Sequence, residues 1–169
     1  MARWGKCDFK QLIKMQQKMD KLISADLELF CKKCAKELAA RLLGKVIKRT
    51  PVGQYPASTG KVGGSLRRGW TTSSGREAEL TAVFGGGASV SAYVKSLPIT
   101  KSGNEYQIEI INPLEYASYV EFGHRTANHK GWVKGRFMLT ISEAELESQV
   151  EKILEKKLIF FLGEYLNGK

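Results

Sequence analysis

Apolar residues recur at helical spacing through most of the first fifty positions of the chain. Between Asp8 and Lys48 they follow one another at intervals of three and four residues, and helix-breaking residues are almost absent. Ser24 and Asp26 are residue types that cap helix N-termini, so the pattern predicts a break near Ser24 and a second helix from Asp26 to Lys48. We therefore expect a helical extension over residues 1–25.

A second long helical pattern closes the chain. From Phe137 to about Asn167 apolar residues keep a helical period, with glutamates and lysines on the opposite side. The segment is long for a helix of a globular protein. We expect one end to pack on the core and the other to project or to meet another chain.

The middle of the chain changes to a period of two. In residues 105–111 three apolar side chains alternate with polar ones, which is typical of a half-buried antiparallel strand. Further strand candidates are residues 70–73, 78–84 and 92–97, and residues 101–104 form a hairpin turn. The sequence therefore predicts a small antiparallel sheet of three to four strands, against which the second helix should pack.

A long connection joins that helix to the sheet. Residues 51–69 are rich in glycine, proline and serine, and they carry Lys61, Arg67 and Arg68. Loops of this length inside a compact domain are uncommon and are usually functional or disordered. Two interpretations stay open: a solvated surface loop, or an arm that becomes ordered only on a partner, because few apolar groups could offset the entropy of fixing it.

Residues 111–139 bring aromatic residues, glycines, histidines and basic residues together. Three aromatic residues at a spacing of three predict a short helix with an aromatic face, ending at Gly123. They are Tyr116, Tyr119 and Phe122. Residues 124–136 are typical of a loop, and Trp132 within them needs a surface to bury against.

Together these patterns predict an α+β fold. Its elements are a long N-terminal helix or helix pair, a small antiparallel β-sheet, a short aromatic helix and a long C-terminal helix. With 169 residues the chain suits one domain, and we assign it to residues 26–169, after the extension of residues 1–25.

The charge balance favours an anionic neighbour. The chain has 27 basic and 17 acidic residues, for a net charge of +10. Nucleic acid, an acidic protein surface or a membrane would each fit that charge. No recognition motif organises the basic residues, so any DNA contact should go through phosphates without sequence preference.

Compartment and membrane signals are sparse. The three cysteines are too few for a disulfide framework, which suits a reducing compartment. No secretory signal is visible, and the apolar run from Leu158 to Leu162 is far shorter than the roughly 20 residues that span a bilayer. We therefore predict a soluble protein without a membrane partner.

Catalytic chemistry finds little support. His124, His129 and Glu121 are close in sequence and leave a metal-dependent hydrolase open as an alternative, although loop spacing gives no fixed geometry. Cys31 and Cys34 form a CxxC within a helical stretch and lack a second pair. No phosphate-binding loop or nucleophile elbow is present. The sequence predicts a non-enzyme without a cofactor or small-molecule substrate.

Two stretches resemble the signatures of a family of bacteriophage minor tail or neck proteins. The first runs from Arg49 to Trp70, with the T-P-V of residues 50–52, the T-G of residues 59–60 and the L-R-x-x-W of residues 66–70. The second combines Asn112, the Y-A-x-x-V-E-F-G-H of residues 116–124 and the G-R-F-M of residues 135–138. This chain departs from the commoner pattern by an insertion between Gly53 and Gly64.

The resemblance implies a structural role in long-tailed phages or prophages. It implies a neck or tail-completion subunit that forms a ring, six-fold in symmetry, at the head-proximal end of the tail. The partners would be other copies of the chain, the tail terminator, the tube or sheath and the connector, with non-specific DNA contact in the lumen. The alternative is a stand-alone basic protein that binds nucleic acid without sequence preference.

Such a ring needs aromatic anchors on one side of each subunit and an adaptable loop on the other. We predict that the assembly interface is formed by Tyr116, Tyr119, Glu121, Phe122, His124, Trp132, Arg136 and Phe137. We call residues 51–69 the basic loop. In this loop and directly after it, the residues predicted to face a partner or the DNA lumen are Lys61, Arg67, Arg68 and Trp70.

Overall fold

A computed structural model describes residues 26–72, 97–103 and 105–167, together with the isolated helical positions 14, 16, 17 and 20. The helical elements are α1 (Asp26–Arg49), a 3₁₀ turn (Ala57–Thr59), α2 (Ser65–Arg68), α3 (Ala117–Phe122) and α4 (Met138–Asn167). The strands are β1 (Thr71–Thr72), β2 (Thr100–Ser102), β3 (Glu105–Gln107), β4 (Ile110–Ile111), β5 (Gly123–Arg125) and β6 (Trp132–Lys134). The predicted α+β class and its two long helices are confirmed.

The two long helices pack against each other. Glu145 of α4 forms ion pairs with Lys45 and Arg49 of α1, and Lys157 of α4 forms one with Glu37 of α1. The main packing partner of α1 is thus α4, and its contact with β3 is smaller. The prediction that this helix packs mainly on a sheet is wrong, because periodicity shows an apolar face without identifying what covers it.

These ion pairs shift the pKa of their carboxyl groups. Hydrogen bonds from Lys45 and Arg49 hold the pKa of Glu145 below its ordinary value. Burial alone raises the pKa of Glu37, but hydrogen bonds from Lys157 and Arg41 outweigh burial and lower it. A carboxyl with a lowered pKa stabilises the fold above its unfolded-state pKa and loses that contribution as the pH falls through its folded-state pKa. The helix pair is therefore held more firmly at neutral than at acidic pH.

The core lies where the end of α1 meets the start of α4. One cluster of buried side chains joins these helices to α2 and to Trp70, two residues beyond it. Its members are Leu43, Val46, Ile47, Leu66, Trp70 and Met138. Half-buried apolar residues of β4 and α3 pack around it. The core therefore brings together both stretches of the sequence that carry the recurring motifs.

Among the described residues the strands form three separate antiparallel pairs: β1 with β4, β2 with β3, and β5 with β6. The predicted strand at 105–111 is divided into β3 and β4 but keeps its alternation, because residues 106, 108 and 110 are half-buried while 107 and 109 are exposed. The predicted strand at 78–84 lies outside the described residues, as does the one at 92–97 except for its last residue, the buried Leu97.

The extension predicted over residues 1–25 also lies outside the described residues, apart from the four helical positions named above. Within the described ranges, no helix is both long enough and apolar enough to cross a membrane.

Candidate assembly site

In the first motif stretch, Arg67 and Trp70 both form hydrogen bonds with Thr50, a buried residue directly after α1. The Thr50 hydroxyl donates to the carbonyl of Val46 (2.7 Å) and accepts a hydrogen bond from the indole Nε1 of Trp70 (2.7 Å). The Thr50 carbonyl accepts two hydrogen bonds from the guanidinium of Arg67, at 3.0 and 2.6 Å. Thr50 thus ties the end of α1 to α2 and to the residue that leads into β1.

The basic loop is accordingly divided between interior and surface. Arg67 is half-buried and Trp70 is 4% exposed, so both serve the interior, whereas Lys61 and Arg68 are exposed. The loop is also folded back on itself, because a Cβ atom on Gly63 would lie 2.0 Å from the carbonyl oxygen of Gly53. An arm that orders only on a partner is therefore the wrong interpretation for the second half of this segment, where α2 contributes to the core.

Asn112 joins the two motif stretches. Its side-chain amide donates to the carbonyl of Leu66 (2.8 Å), and its Oδ1 accepts from the backbone N–H of Leu114 (3.3 Å). Gly69 lets it come this close, because a Cβ atom there would lie 2.6 Å from Asn112 Oδ1. The side chain therefore connects α2 to the turn that precedes α3.

Glu121, at the end of α3, caps the N-terminus of α4. Its carboxylate accepts hydrogen bonds from the backbone N–H groups of Leu139 and Thr140, both at 3.0 Å, and from the Thr140 hydroxyl at 2.9 Å. Free N–H groups and the positive end of the helix dipole make this position favourable for an anion. Glu121 as a whole is 6% exposed, so it contacts other parts of its own chain.

Backbone contact reinforces this cap. The N–H groups of Arg136 and Phe137 donate to the carbonyls of Val120 and Glu121, at 2.8 and 3.0 Å. Gly135 permits the approach, because a Cβ atom there would lie 2.3 Å from the Glu121 carbonyl oxygen. Phe137 adopts a positive φ of 49°, and its carbonyl accepts from the N–H of Ile141 as α4 begins. We call this set of contacts between α1, α2, α3 and α4 the junction.

Residues 124–136, predicted as a loop, contain a β-hairpin. In the β5–β6 pair, Gly123 lies opposite Lys134, His124 opposite Val133 and Arg125 opposite Trp132. Thr126 closes the hairpin, since its backbone N–H donates to the Gly131 carbonyl and its hydroxyl accepts from the Gly131 N–H, both at 3.0 Å. The hairpin is therefore a defined element that projects beside α3.

Four large aromatic side chains are exposed around the junction. Their exposed fractions are 43% for Tyr116, 57% for Tyr119, 62% for Phe122 and 64% for Trp132. We call these four residues the aromatic face. Three of them come from the segment Tyr116–Phe122 and one from β6, so the junction and the hairpin fix their positions relative to one another.

The remaining predicted interface residues lie close to this face. The ring of His124 is tilted against that of Tyr119, with centroids 5.8 Å apart, and its Nδ1 is buried without a hydrogen-bond partner among the described residues. Phe137 is half-buried. Arg136 is exposed and lines a groove of about 460 Å³ that also includes Tyr55 and Tyr116.

The geometry does not favour a metal site at His124, His129 and Glu121 or reactive thiols at Cys31 and Cys34. Glu121 is occupied by the cap of α4, and His129 lies on the exposed hairpin tip with a φ of 57°. The described ranges contain no group of three potential metal ligands. Cys31 and Cys34 are free thiols on α1, and burial raises the pKa of Cys34, which disfavours its thiolate.

Sequence reasoning did not identify the tertiary contacts of Thr50, Asn112, Gly123 and Gly135. All four were nevertheless part of the motif stretches quoted above. Their types were the available signal: a small hydroxyl after a helix, an asparagine before a proline, and glycines on either side of residues 124–134. Without spatial neighbours, these types do not specify which groups they contact.

The chain has an α+β fold in which the motif residues hold the helices and strands together at the junction. A family model described as "Bacteriophage HK97-gp10, putative tail-component" matches residues 13–123, more than half of the chain. The chain therefore belongs to the HK97-gp10-like family of phage tail components, which implies a place in the virion. The hairpin after Gly123 and α4 lie beyond the matched span. No match was found among curated proteins or among solved structures.

A first prediction tests the junction at Thr50. We expect Thr50→Val to lower the free energy of unfolding by about 1–3 kcal/mol, because the buried Trp70 N–H loses its acceptor. Urea unfolding followed by tryptophan fluorescence measures the change. Thr50→Ser should recover most of the loss, and Thr100→Val, at an exposed threonine of β2, should stay within about 0.5 kcal/mol of the parent chain. Equal stability of the Thr50→Val and Thr50→Ser variants would contradict the assigned hydrogen bond.

Proposed function

We propose that this protein is a non-enzymatic tail-completion or neck subunit. It forms a ring, six-fold in symmetry, at the head-proximal end of the tail and joins the tail terminator or tube to the connector. Membership of a phage tail-component family supports the tail assignment. The observation that carries the ring is the aromatic face, which a monomer would leave in water.

The aromatic face has the properties of an interface anchor. Its four side chains are 43–64% exposed, and they are held by the junction and the hairpin rather than by a mobile arm. Aromatic residues are enriched among the side chains that dominate binding energy, because they bury a large area with few rotatable bonds. A ring in which each copy repeats one heterologous contact would cover this face in every subunit.

The basic loop suits a second role within the same ring. Lys61 and Arg68 are exposed, and Lys61 lies over the Tyr55 ring at 5.9 Å from its centroid. Charges of this kind contact phosphates without reading sequence. We assign them to the lumen, where DNA would pass, as part of the same proposal.

Removal of the aromatic face should abolish assembly. We expect the purified chain to form rings in negative-stain images and multimers in mass photometry. The double variant Phe122→Ser/Trp132→Ser should shift the population to monomers and weaken self-association at least 10-fold, because two exposed anchors are lost. Its stability should change little, since both side chains are mostly in water.

The matched control is Ile159→Ser/Phe160→Ser, which removes two large apolar side chains that are 64% and 66% exposed outside the aromatic face. It should assemble like the parent chain. A parent chain that stays monomeric at high concentration and never co-purifies with tail particles would contradict the proposed function.

A further inference from the structure

One side of the β5–β6 hairpin combines an indole with two cations. Arg125 lies directly opposite Trp132, and Lys134 lies two residues further along β6, so the three side chains share one side of the pair. All three are exposed. Gly123 leaves room on this side, because a Cβ atom there would lie 2.8 Å from the Trp132 Nε1. We call Arg125, Trp132 and Lys134 the hairpin face.

The spacing of the two cations is set by the strand register. Residues diagonally related across an antiparallel pair lie about 7–8 Å apart. Arg125 and Lys134 have this relation, because Arg125 pairs with Trp132. Neither cation forms an ion pair with a described residue. The hairpin face therefore offers two unpaired positive charges on either side of an exposed aromatic ring.

The same chain carries a complementary surface on α4. Four exposed glutamates recur there at every fourth position: Glu143, Glu147, Glu151 and Glu155. Successive members are separated by a rise of about 6 Å along the helix axis. None of them forms an ion pair or a side-chain hydrogen bond with a described residue, unlike Glu145, which is paired with α1. We call these four residues the acidic stripe.

We propose that the hairpin face of one copy docks on the acidic stripe of the next copy. This inference rests on the proposed function, because it requires that copies of the chain assemble. The spacing of the two cations is close to that of neighbouring glutamates, and the exposed Ala144 and Ser148 beside the stripe leave a shallow surface for Trp132. The two surfaces belong to different elements, so the contact is heterologous and repeats from copy to copy, as a ring requires.

Duplex DNA fits the hairpin face less well than the acidic stripe does. Phosphate contacts would use the two cations but leave the indole without a partner, since the bases of a duplex are already stacked. The acidic stripe supplies both opposite charges and a small-residue surface. Charge complementarity of this type also favours one docking register over others.

Charge reversal on each side provides the test. Glu147→Lys/Glu151→Lys reverses the acidic stripe, and Arg125→Glu/Lys134→Glu reverses the hairpin face. Each variant alone should have an affinity for self-association at least 10-fold weaker than that of the parent chain, because like charges then meet at every contact. An equimolar mixture of the two should regain assembly, since each reversed surface then meets an opposite charge on the other variant. Mass photometry and negative-stain imaging at low salt report both results.

Two matched controls change net charge by the same amount elsewhere. Glu109→Lys/Glu115→Lys mirrors the first variant, and Lys14→Glu/Lys33→Glu mirrors the second, all four at exposed positions. Both controls should assemble like the parent chain. The reversed residues are on the surface, so we expect every variant to fold. Circular dichroism and urea unfolding check this.

The other outcomes each exclude the inference. The proposed docking is wrong if each charge-reversed variant, tested alone, assembles like the parent chain. It is also wrong if the two folded variants fail to assemble when mixed. In both cases the proposed function stands. If Arg125→Glu/Lys134→Glu loses low-salt binding to a DNA duplex but keeps assembly, the hairpin face is a DNA surface instead. A parent chain that never assembles removes the proposed function as well.

Discussion

Gly123→Ala should be among the most damaging single substitutions in this chain. Gly123 has a φ of 88° and a ψ of 171°, a region of backbone conformation that is essentially restricted to glycine. An added Cβ would also lie 2.4 Å from the carbonyl oxygen of Val133. We expect a loss of about 4 kcal/mol in the free energy of unfolding, from backbone strain and overpacking together.

Urea unfolding of the soluble variant measures this loss, and accumulation in the insoluble fraction is the extreme result. Gly163→Ala is the matched control, because a Cβ on Gly163 in α4 meets nothing within 4 Å. That substitution should stabilise the chain by about 0.5–1 kcal/mol through helix propensity. Similar effects of the two substitutions would show that α3 and the hairpin do not meet as closely as described.

Glu121→Ala should destabilise the start of α4. The substitution removes a carboxylate that accepts three hydrogen bonds, two of them from backbone N–H groups of α4. Hydrogen bonds to charged groups and helix caps each contribute on the order of 1–3 kcal/mol, and they are not additive. We expect a loss of about 3 kcal/mol in the free energy of unfolding, measured by urea titration, with reduced helical circular dichroism before the main transition.

Glu121→Gln keeps the shape of the side chain but removes its charge. The amide oxygen can still accept a hydrogen bond, whereas the NH₂ group faces the donors that the second carboxylate oxygen had accepted from. We expect it to lose about half as much stability as Glu121→Ala. Glu115→Ala, at an exposed glutamate just before α3, should stay within about 0.5 kcal/mol of the parent chain. If Glu121→Ala unfolds like the Glu115 control, the carboxylate does not cap α4 in solution.

The helices were predictable because their information is local. The apolar period gave the helix that includes α1, and the glycine after the aromatic segment gave the end of α3 at Gly123. The partner of α1 was not predictable in the same way. An apolar stripe fits a sheet or another helix equally well, and the choice of α4 depends on contacts about a hundred residues apart, such as Lys45 with Glu145.

The hairpin at residues 123–134 escaped sequence analysis for a different reason. Most of its side chains are exposed on both sides, so it lacks the alternation that identifies half-buried strands. Its pairing depends instead on Gly123 and Gly135, whose close backbone contacts are visible only in three dimensions. The aromatic residues of the candidate site were predictable by type, whereas the burial of Glu121, Arg67 and Trp70 required the tertiary structure.

The stacking of Phe30 on Phe161 gives the helix pair a mechanical property. The two rings are 4.6 Å apart near the beginning of α1 and the end of α4, so the helices are fastened at the end remote from the junction as well. The 30 residues of α4 span about 45 Å. A rotation of about 10° at the junction would therefore move the remote end by about 8 Å, so the helix pair would act as a lever arm that converts a small change at the junction into a large displacement at its far end.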